Sequence, residues 1–284
     1  MTFDALLARA AQRLQRAGSP TPRLDAEVLL AHVIERERTW LFTWGDGECP
    51  TWQRARFEAL VASRAEGRPV AYLTGEREFW GLALETSPHT LIPRPDTETL
   101  VAVALEKAPG GQGRMLDMGT GTGAIALAFA SERPTWQVTG MDIKPEAVDL
   151  ATRNATRLGI TNARFQQSDW FAALESAATP LRFELIVSNP PYIAESDPHL
   201  AEGDVRFEPA SALVAAADGM ADLAHLVASA RCHLVPGGWL ALEHGHTQAA
   251  SVRAALTAAG YDAVATRDDL GGNERVTLGQ YVGA

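Results

Sequence analysis

Cysteine is nearly missing from this 284-residue chain, which carries only Cys49 and Cys232. Two thiols in dissimilar contexts make neither a disulfide framework nor a zinc cluster, so a reducing compartment is expected. Lysine is as rare: Lys107 and Lys144 are the only two among 25 basic residues. No basic run offers the face that grips bare nucleic acid. No apolar run approaches the roughly 18 residues that span a bilayer. The opening Met1-Thr2-Phe3-Asp4 lacks the basic and apolar segments of a signal peptide. A cytoplasmic location without a membrane partner is the expectation. There is no internal repeat. Disorder is excluded by 46% hydrophobic against 21% charged residues.

What charge there is lies unevenly. Residues 1–75 hold 10 arginines against 9 acids, whereas residues 76–284 hold 15 basic residues against 26 acids. The length allows two domains, and the halves differ in pattern as well. Up to residue 75 the apolar residues recur at helical spacing. Phe3, Leu6, Leu7, Ala10 and Leu14 mark a first helix, ended by Gly18-Ser19-Pro20. Leu24, Val28, Leu29 and Val33 mark a second, from about residue 22. Trp52, Phe57, Leu60 and Val61 mark a third inward face over residues 50–65, before Gly67-Arg68-Pro69. A helical bundle over 1–75 is expected, then a hairpin linker over 76–92 turning near Gly81, then a larger domain over 93–284.

In that larger domain strands and helices alternate. A helix over residues 97–107 precedes the loop 109–113. Strands are expected at residues 115–118, 137–141, 163–166, 183–187 and 239–242, with a C-terminal strand pair. Helices are expected at 124–130, 145–158, 223–234 and up to about 259. This is the rhythm of an α/β fold: an open, mostly parallel sheet with helices on both faces.

Two segments in it carry chemistry. The first is Asp117-Met118-Gly119-Thr120-Gly121-Thr122-Gly123, between a strand and a helix. Glycines there let the backbone turn tightly and approach a ligand. Asp142 ends the next strand, where an acid accepts from ribose hydroxyls. A dinucleotide site would show Gly-x-Gly-x-x-Gly and aim amides at a pyrophosphate. Here the glycines alternate and Asp117 precedes them, which repels phosphate but suits the cationic amino group of S-adenosylmethionine. The segment resembles that of class I S-adenosylmethionine-dependent methyltransferases; glycines serving only a tight turn are the other reading. Asp169 and Trp170 fall where such folds enclose adenine, though core packing is also open to Trp170.

The second segment is Asn189-Pro190-Pro191-Tyr192, at the end of the fourth strand. Two prolines make a stiff backbone that suits neither sheet nor helix. The Asn189 side-chain carbonyl and the Pro190 backbone carbonyl can both accept from one NH2 group, with Tyr192 flat against it. An amide or exocyclic amine nitrogen is a poor nucleophile. Two acceptors orient its lone pair for in-line displacement at a sulfonium methyl. The tetrapeptide thus points to N-methylation of a planar amine: adenine, guanine or a glutamine amide.

Together with Leu91 through Glu98, Ser168-Asp169-Trp170, Leu242-Glu243-His244-Gly245 and Asn273-Glu274-Arg275, these segments resemble one family over the whole chain. It is the HemK-type (PrmC) peptide-chain release factor glutamine N5-methyltransferases. The resemblance implies a Rossmann-like, mostly parallel seven-stranded sheet behind a small helical bundle that contacts the release factor. It implies methyl transfer to the glutamine of the Gly-Gly-Gln loop in class I release factors. Cofactor contacts carry over to Gly119, Thr120, Gly121, Thr122, Gly123, Asp142 and Trp170, and substrate contacts to Asn189, Pro190, Pro191 and Tyr192. Arg94 falls in a segment that closes over the cofactor. Met118 stands where leucine is more usual, and His246 is more polar than expected.

Other readings are weaker. His244 and His246 lack a third metal ligand, so no metal is expected. Asp197, Glu202, Asp204 and Glu208 form an acidic loop, either solvated or a rim over the substrate. Gly110-Gly111-Gln112 copies the family's target tripeptide, and a chance match in a glycine-rich loop is the plain explanation. A nucleic-acid amine methyltransferase remains the alternative, but it should carry a basic groove.

Overall fold

Side chains along a strand alternate between faces, and the buried strands of the larger unit use both. In the computed structural model, which describes residues 1–108, 110–175 and 180–283, Met115, Leu185, Val187 and Ala241 enter one apolar core. Leu116, Ile186, Leu240 and Leu242 enter a second core on the opposite face. Pro109, of the expected 109–113 loop, and Ala284 lie outside the described residues.

The smaller unit comprises residues 1–76 and 198–207. Its helices are α1 (Phe3–Arg16), α2 (Pro22–Ile34), α3 (Arg38–Trp44), α4 (Thr51–Ala65) and α5 (Val70–Thr74). Thr2 caps α1 through its side chain, and Pro22 occupies the first turn of α2, where its missing N–H costs nothing. Leu6, Leu7, Leu14, Leu29, Leu30 and Phe57 fill the core. Two expected inward residues point out instead: Trp52 is 64% exposed and Leu24 40%. The core is already closed without them. A buried arginine ties the 198–207 segment into this unit. Arg64 donates to Asp25 (2.7 Å), to Asp204 (2.6 Å) and to the carbonyls of Gly67 and Arg68. A buried guanidinium needs that many acceptors to offset its lost hydration.

The larger unit comprises residues 77–197 and 208–284. Its chain runs from the hairpin β1 (Glu76–Phe79) and β2 (Leu82–Glu85) to α6 (Glu98–Lys107), β3 (Arg114–Met118), α7 (Ala124–Glu132) and β4 (Gln137–Asp142). Next come α8 (Pro145–Leu158), β5 (Ala163–Gln167), α9 (Ala172–Glu175), β6 (Phe183–Ser188) and α10 (Ala221–Ser229). It closes with β7 (Leu234–Glu243), α11 (Ala249–Ala258), β8 (Tyr261–Asp268) and β9 (Glu274–Tyr281). The hairpin packs Phe79 and Leu84 into the first core.

The seven-stranded sheet has the order β5-β4-β3-β6-β7-β9-β8. Strands β3 to β7 are mutually parallel, β9 runs antiparallel to β7, and β8 runs antiparallel to β9. The order reverses between β3 and β6. The chain leaves β3 toward β4 on one side and returns to β6 on the other, which opens a crevice at the strands' carboxyl ends. Strand β7 begins five residues earlier than expected. Its Pro236-Gly237-Gly238 stretch is a bulge between the pairs Phe183–Leu234 and Leu185–Trp239. The expected helix over 223–234 ends at Ser229 and gives way to a 3-10 turn, Ala230–His233.

Candidate active site

Both chemical segments reach the crevice. A cavity of about 330 Å³ there is lined by Gly119, Thr120, Gly121 and Thr122, by Asp142, by Asp169 and Trp170, by Asn189 and Pro191, and by Arg94. Gly123, Asp117, Pro190 and Tyr192 are not in the lining. Asp117 is wholly buried at the end of β3, and Tyr192 packs against the second core. Ser188 donates to the Met118 carbonyl at 2.7 Å, pinning the end of β6 to the end of β3.

The turn after β3 needs its glycines. Gly119, Gly121 and Gly123 have φ of 70°, 55° and 82°, the left-handed region that a Cβ disfavours. Its amides are largely spent inside the protein. Gly119 and Thr120 donate to the Met141 carbonyl, Gly121 to the Asp142 carboxylate (2.9 Å), and Gly123 to the Thr120 carbonyl. Few are left for a pyrophosphate, so the dinucleotide reading loses its main support.

The acids on this side lean toward a cation. Burial pushes the Asp117 carboxyl up to about 7, against the Thr120 hydroxyl that donates to its Oδ2 at 2.6 Å. Its Oδ1 is buried with no hydrogen-bond partner among the described residues. Such an atom is costly unless a ligand satisfies it. Burial also raises Asp142, which accepts from the Gly121 and Lys144 amides. The Ile143 amide also acts on it, and a carboxylate's roughly four acceptor sites still leave room for a hydroxyl donor. Trp170 has φ of 46°, a left-handed geometry that a tryptophan adopts at a cost. Ser168, which donates to the Trp170 carbonyl at 2.6 Å, holds it there.

On the other side, Asn189 Nδ2 donates to Thr97 Oγ1 at 3.2 Å. The Tyr192 hydroxyl donates to Glu243 Oε1 at 3.4 Å. Arg94 pairs with Glu208 at 2.7 Å. Of the acidic loop, Asp204 and Glu208 each hold an arginine, while Glu202 is exposed. His244 is buried, with Nε2 on Thr277 Oγ1 at 2.7 Å and Nδ1 at the Gly245 carbonyl. Sequence reasoning missed Thr97, His89, Lys144, Ser211 and Asp222, which also line the cavity. It quoted Glu243 without giving it a role.

The comparisons extend over both units. The PrmC N-terminal domain family matches residues 5–75, and the methyltransferase domain family matches residues 110–258. A release factor glutamine methyltransferase of Vibrio cholerae is 55% identical over 99% of this chain and 97% of its own length. That of Escherichia coli K12 is 53% identical over 99% of both. A methyltransferase crystal structure from Pyrococcus furiosus superposes with a TM-score of 0.53 at 22% identity, over 72% of this chain and 90% of its own, a likeness of fold.

Proposed function

The chain belongs to the release factor glutamine methyltransferase family. From that premise we propose that it carries a methyl group from S-adenosylmethionine to the side-chain amide nitrogen of the glutamine in the Gly-Gly-Gln loop of class I release factors. One observation carries the reading. A turn whose buried acid lacks a partner, and an Asn-Pro-Pro-Tyr segment, border the same cavity. When bound, the cofactor supplies an electrophilic methyl on a sulfonium.

The chain's own residues do the rest. Asp117 Oδ1 would accept from the cofactor's ammonium, and Asp142 from its ribose hydroxyls. Asp169 and Trp170 would hold the adenine, and Arg94, held by Glu208, would border the cofactor. Asn189 Oδ1 and the Pro190 carbonyl accept the two hydrogens of the substrate amide. They draw its lone pair out of conjugation and aim it at the methyl, while Pro191 stiffens the segment and Tyr192 packs against the amide. Transfer forms a C–N bond and breaks the C–S bond. The N-methylated amide then sheds a proton to water, so positioning and electrostatics supply the catalysis without a strong base. The helical unit presents the release factor.

A methyl-transfer assay with labelled cofactor tests this. Its acceptors are an intact release factor, the same factor with its Gly-Gly-Gln glutamine replaced by alanine, and duplex DNA. Label on the intact factor alone is expected. Label on DNA, or on both factors equally, overturns the substrate.

A further inference from the structure

Asn189 can serve as an acceptor only if its amide is turned the right way round. Rotating that amide by 180° about its last bond would present NH2 to the substrate NH2, two donors face to face. Something has to choose between the two. The choice cannot lie with Thr97 alone, because a hydroxyl can accept from Nδ2 or donate to Oδ1.

Glu243 can make it. Its carboxylate is wholly buried at the end of β7, beside the Thr97 hydroxyl, which favours its ionised form. Oε1 takes the Tyr192 hydroxyl, and Oε2 has no partner within 3.5 Å among the described residues. An ionised carboxylate only accepts, so it draws the Thr97 proton toward itself. Thr97 Oγ1 is then left as an acceptor, and Asn189 must turn its NH2 to it, as the 3.2 Å bond records. Its Oδ1 is freed for the substrate.

We propose that Thr97 and Glu243 are positioning residues that fix the Asn189 amide with its oxygen toward the acceptor nitrogen. This rests on the methyl-transfer reading above. The charges around Glu243 fit the role. Arg275, itself held by Asp269 at 3.1 Å and by Asp96 at 3.5 Å, favours the carboxylate, while Asp96 opposes it. Burial, the largest effect, pushes Glu243 up to about 7, and the Tyr192 hydroxyl lowers it. Below that pH the carboxyl gains a proton of its own. The Thr97 hydroxyl is then released to donate to Asn189 Oδ1, and the amide turns the wrong way.

The test uses the full-length protein and three variants. Thr97→Val removes the hydroxyl but keeps the shape. It should lower kcat on the order of 10–100-fold, the scale of a small misplacement, with cofactor affinity and Tm unmoved. Thr97→Ser should restore most of the rate. Glu243→Gln should lower kcat and abolish the fall in kcat expected of the unaltered enzyme as pH drops through about 7. An active unaltered enzyme with an equally active Thr97→Val overturns the proposal. So does loss of Tm and cofactor binding in step with rate, or an acid limb in kcat that survives in Glu243→Gln at saturating cofactor, where protonation of Asp117 no longer limits binding. A readout without turnover separates this from the substrate assignment: the Asn189 side-chain NH2 resonances should titrate near pH 7 in the unaltered protein and not in Glu243→Gln. If no release factor is methylated, the substrate reading fails while that titration still decides the orientation.

Discussion

Two strands of one sheet carry a wholly buried carboxylate at their carboxyl ends: Asp117, next to last in β3, and Glu243, the last residue of β7. Each has one oxygen that takes a hydroxyl and one with no partner within 3.5 Å among the described residues, and burial pushes each up to about 7. Their neighbours differ. The groups that act on Asp117 are a hydroxyl, a backbone amide and another acid, Asp142, with no cation among them. Glu243 has the resident guanidinium of Arg275. The first carboxylate is left wanting a positive charge, which an incoming ligand brings. The second has its positive charge built in and belongs to the framework. A buried acid becomes a ligand site or a support according to what already surrounds it.

The largest expected effect is on the acceptor side. Asn189→Ala should lower kcat on the order of 100–1,000-fold, the scale for removing one preorganised transition-state contact. Cofactor affinity measured by calorimetry should stay nearly unchanged; equal loss of both would erase the division between the two sides. Asp117→Asn should do the reverse, weakening cofactor binding on the order of 10–100-fold, as expected for loss of a buried charge partner. In the unaltered protein that affinity should rise with pH through about 7, because only the ionised carboxylate pairs with an ammonium.

The same substitution should act oppositely on the empty fold. Asp117 has a folded-state pKa of about 7 against an ordinary 3.8. Its contribution to stability is therefore fully present below pH 4 and is lost as pH rises through 7. Cofactor-free Asp117→Asn should melt higher than the unaltered protein at pH 8, and an unchanged Tm would show that the charge is not the cost supposed here. The smallest effect belongs to the helical unit, where Phe42 is 68% and Trp52 64% exposed. Phe42→Ser and Trp52→Ser should each change stability by less than about 0.5 kcal/mol, while KM for a release factor rises and kcat holds. An unmoved KM would mean that those aromatics are not part of the docking face.

Much of this was legible in the chain. The 145–158 helix lies where it is expected, with Pro145 at its first turn, and the glycine turn and the tetrapeptide are local signals whose chemistry is written in consecutive residues. What escaped has physical reasons. Helix α3 is seven residues long and buries only Leu41, so its period is too short to register. The early part of β7 hides behind a proline and two glycines that read as punctuation. Trp52, expected inward with Phe57, Leu60 and Val61, lies in the first turn of α4 and stays exposed, while Phe57 and Val61 fill the core. Thr97 stands 92 residues from Asn189, and only the gathering of strand ends at the sheet's edge brings them together.

The 198–207 segment carries one more consequence. It leaves the larger unit after Asp197, lies within the smaller one under Arg64, and returns at Glu208, the partner of Arg94. The smaller unit is thus discontinuous in sequence, and it is no bead on a string. A protease cut between Glu76 and Arg77 would not yield two independent pieces, because the larger fragment would keep ten residues of its neighbour's fold. Any attempt to trade the helical unit between relatives must exchange two stretches of gene, with Arg64 and Asp204 travelling together.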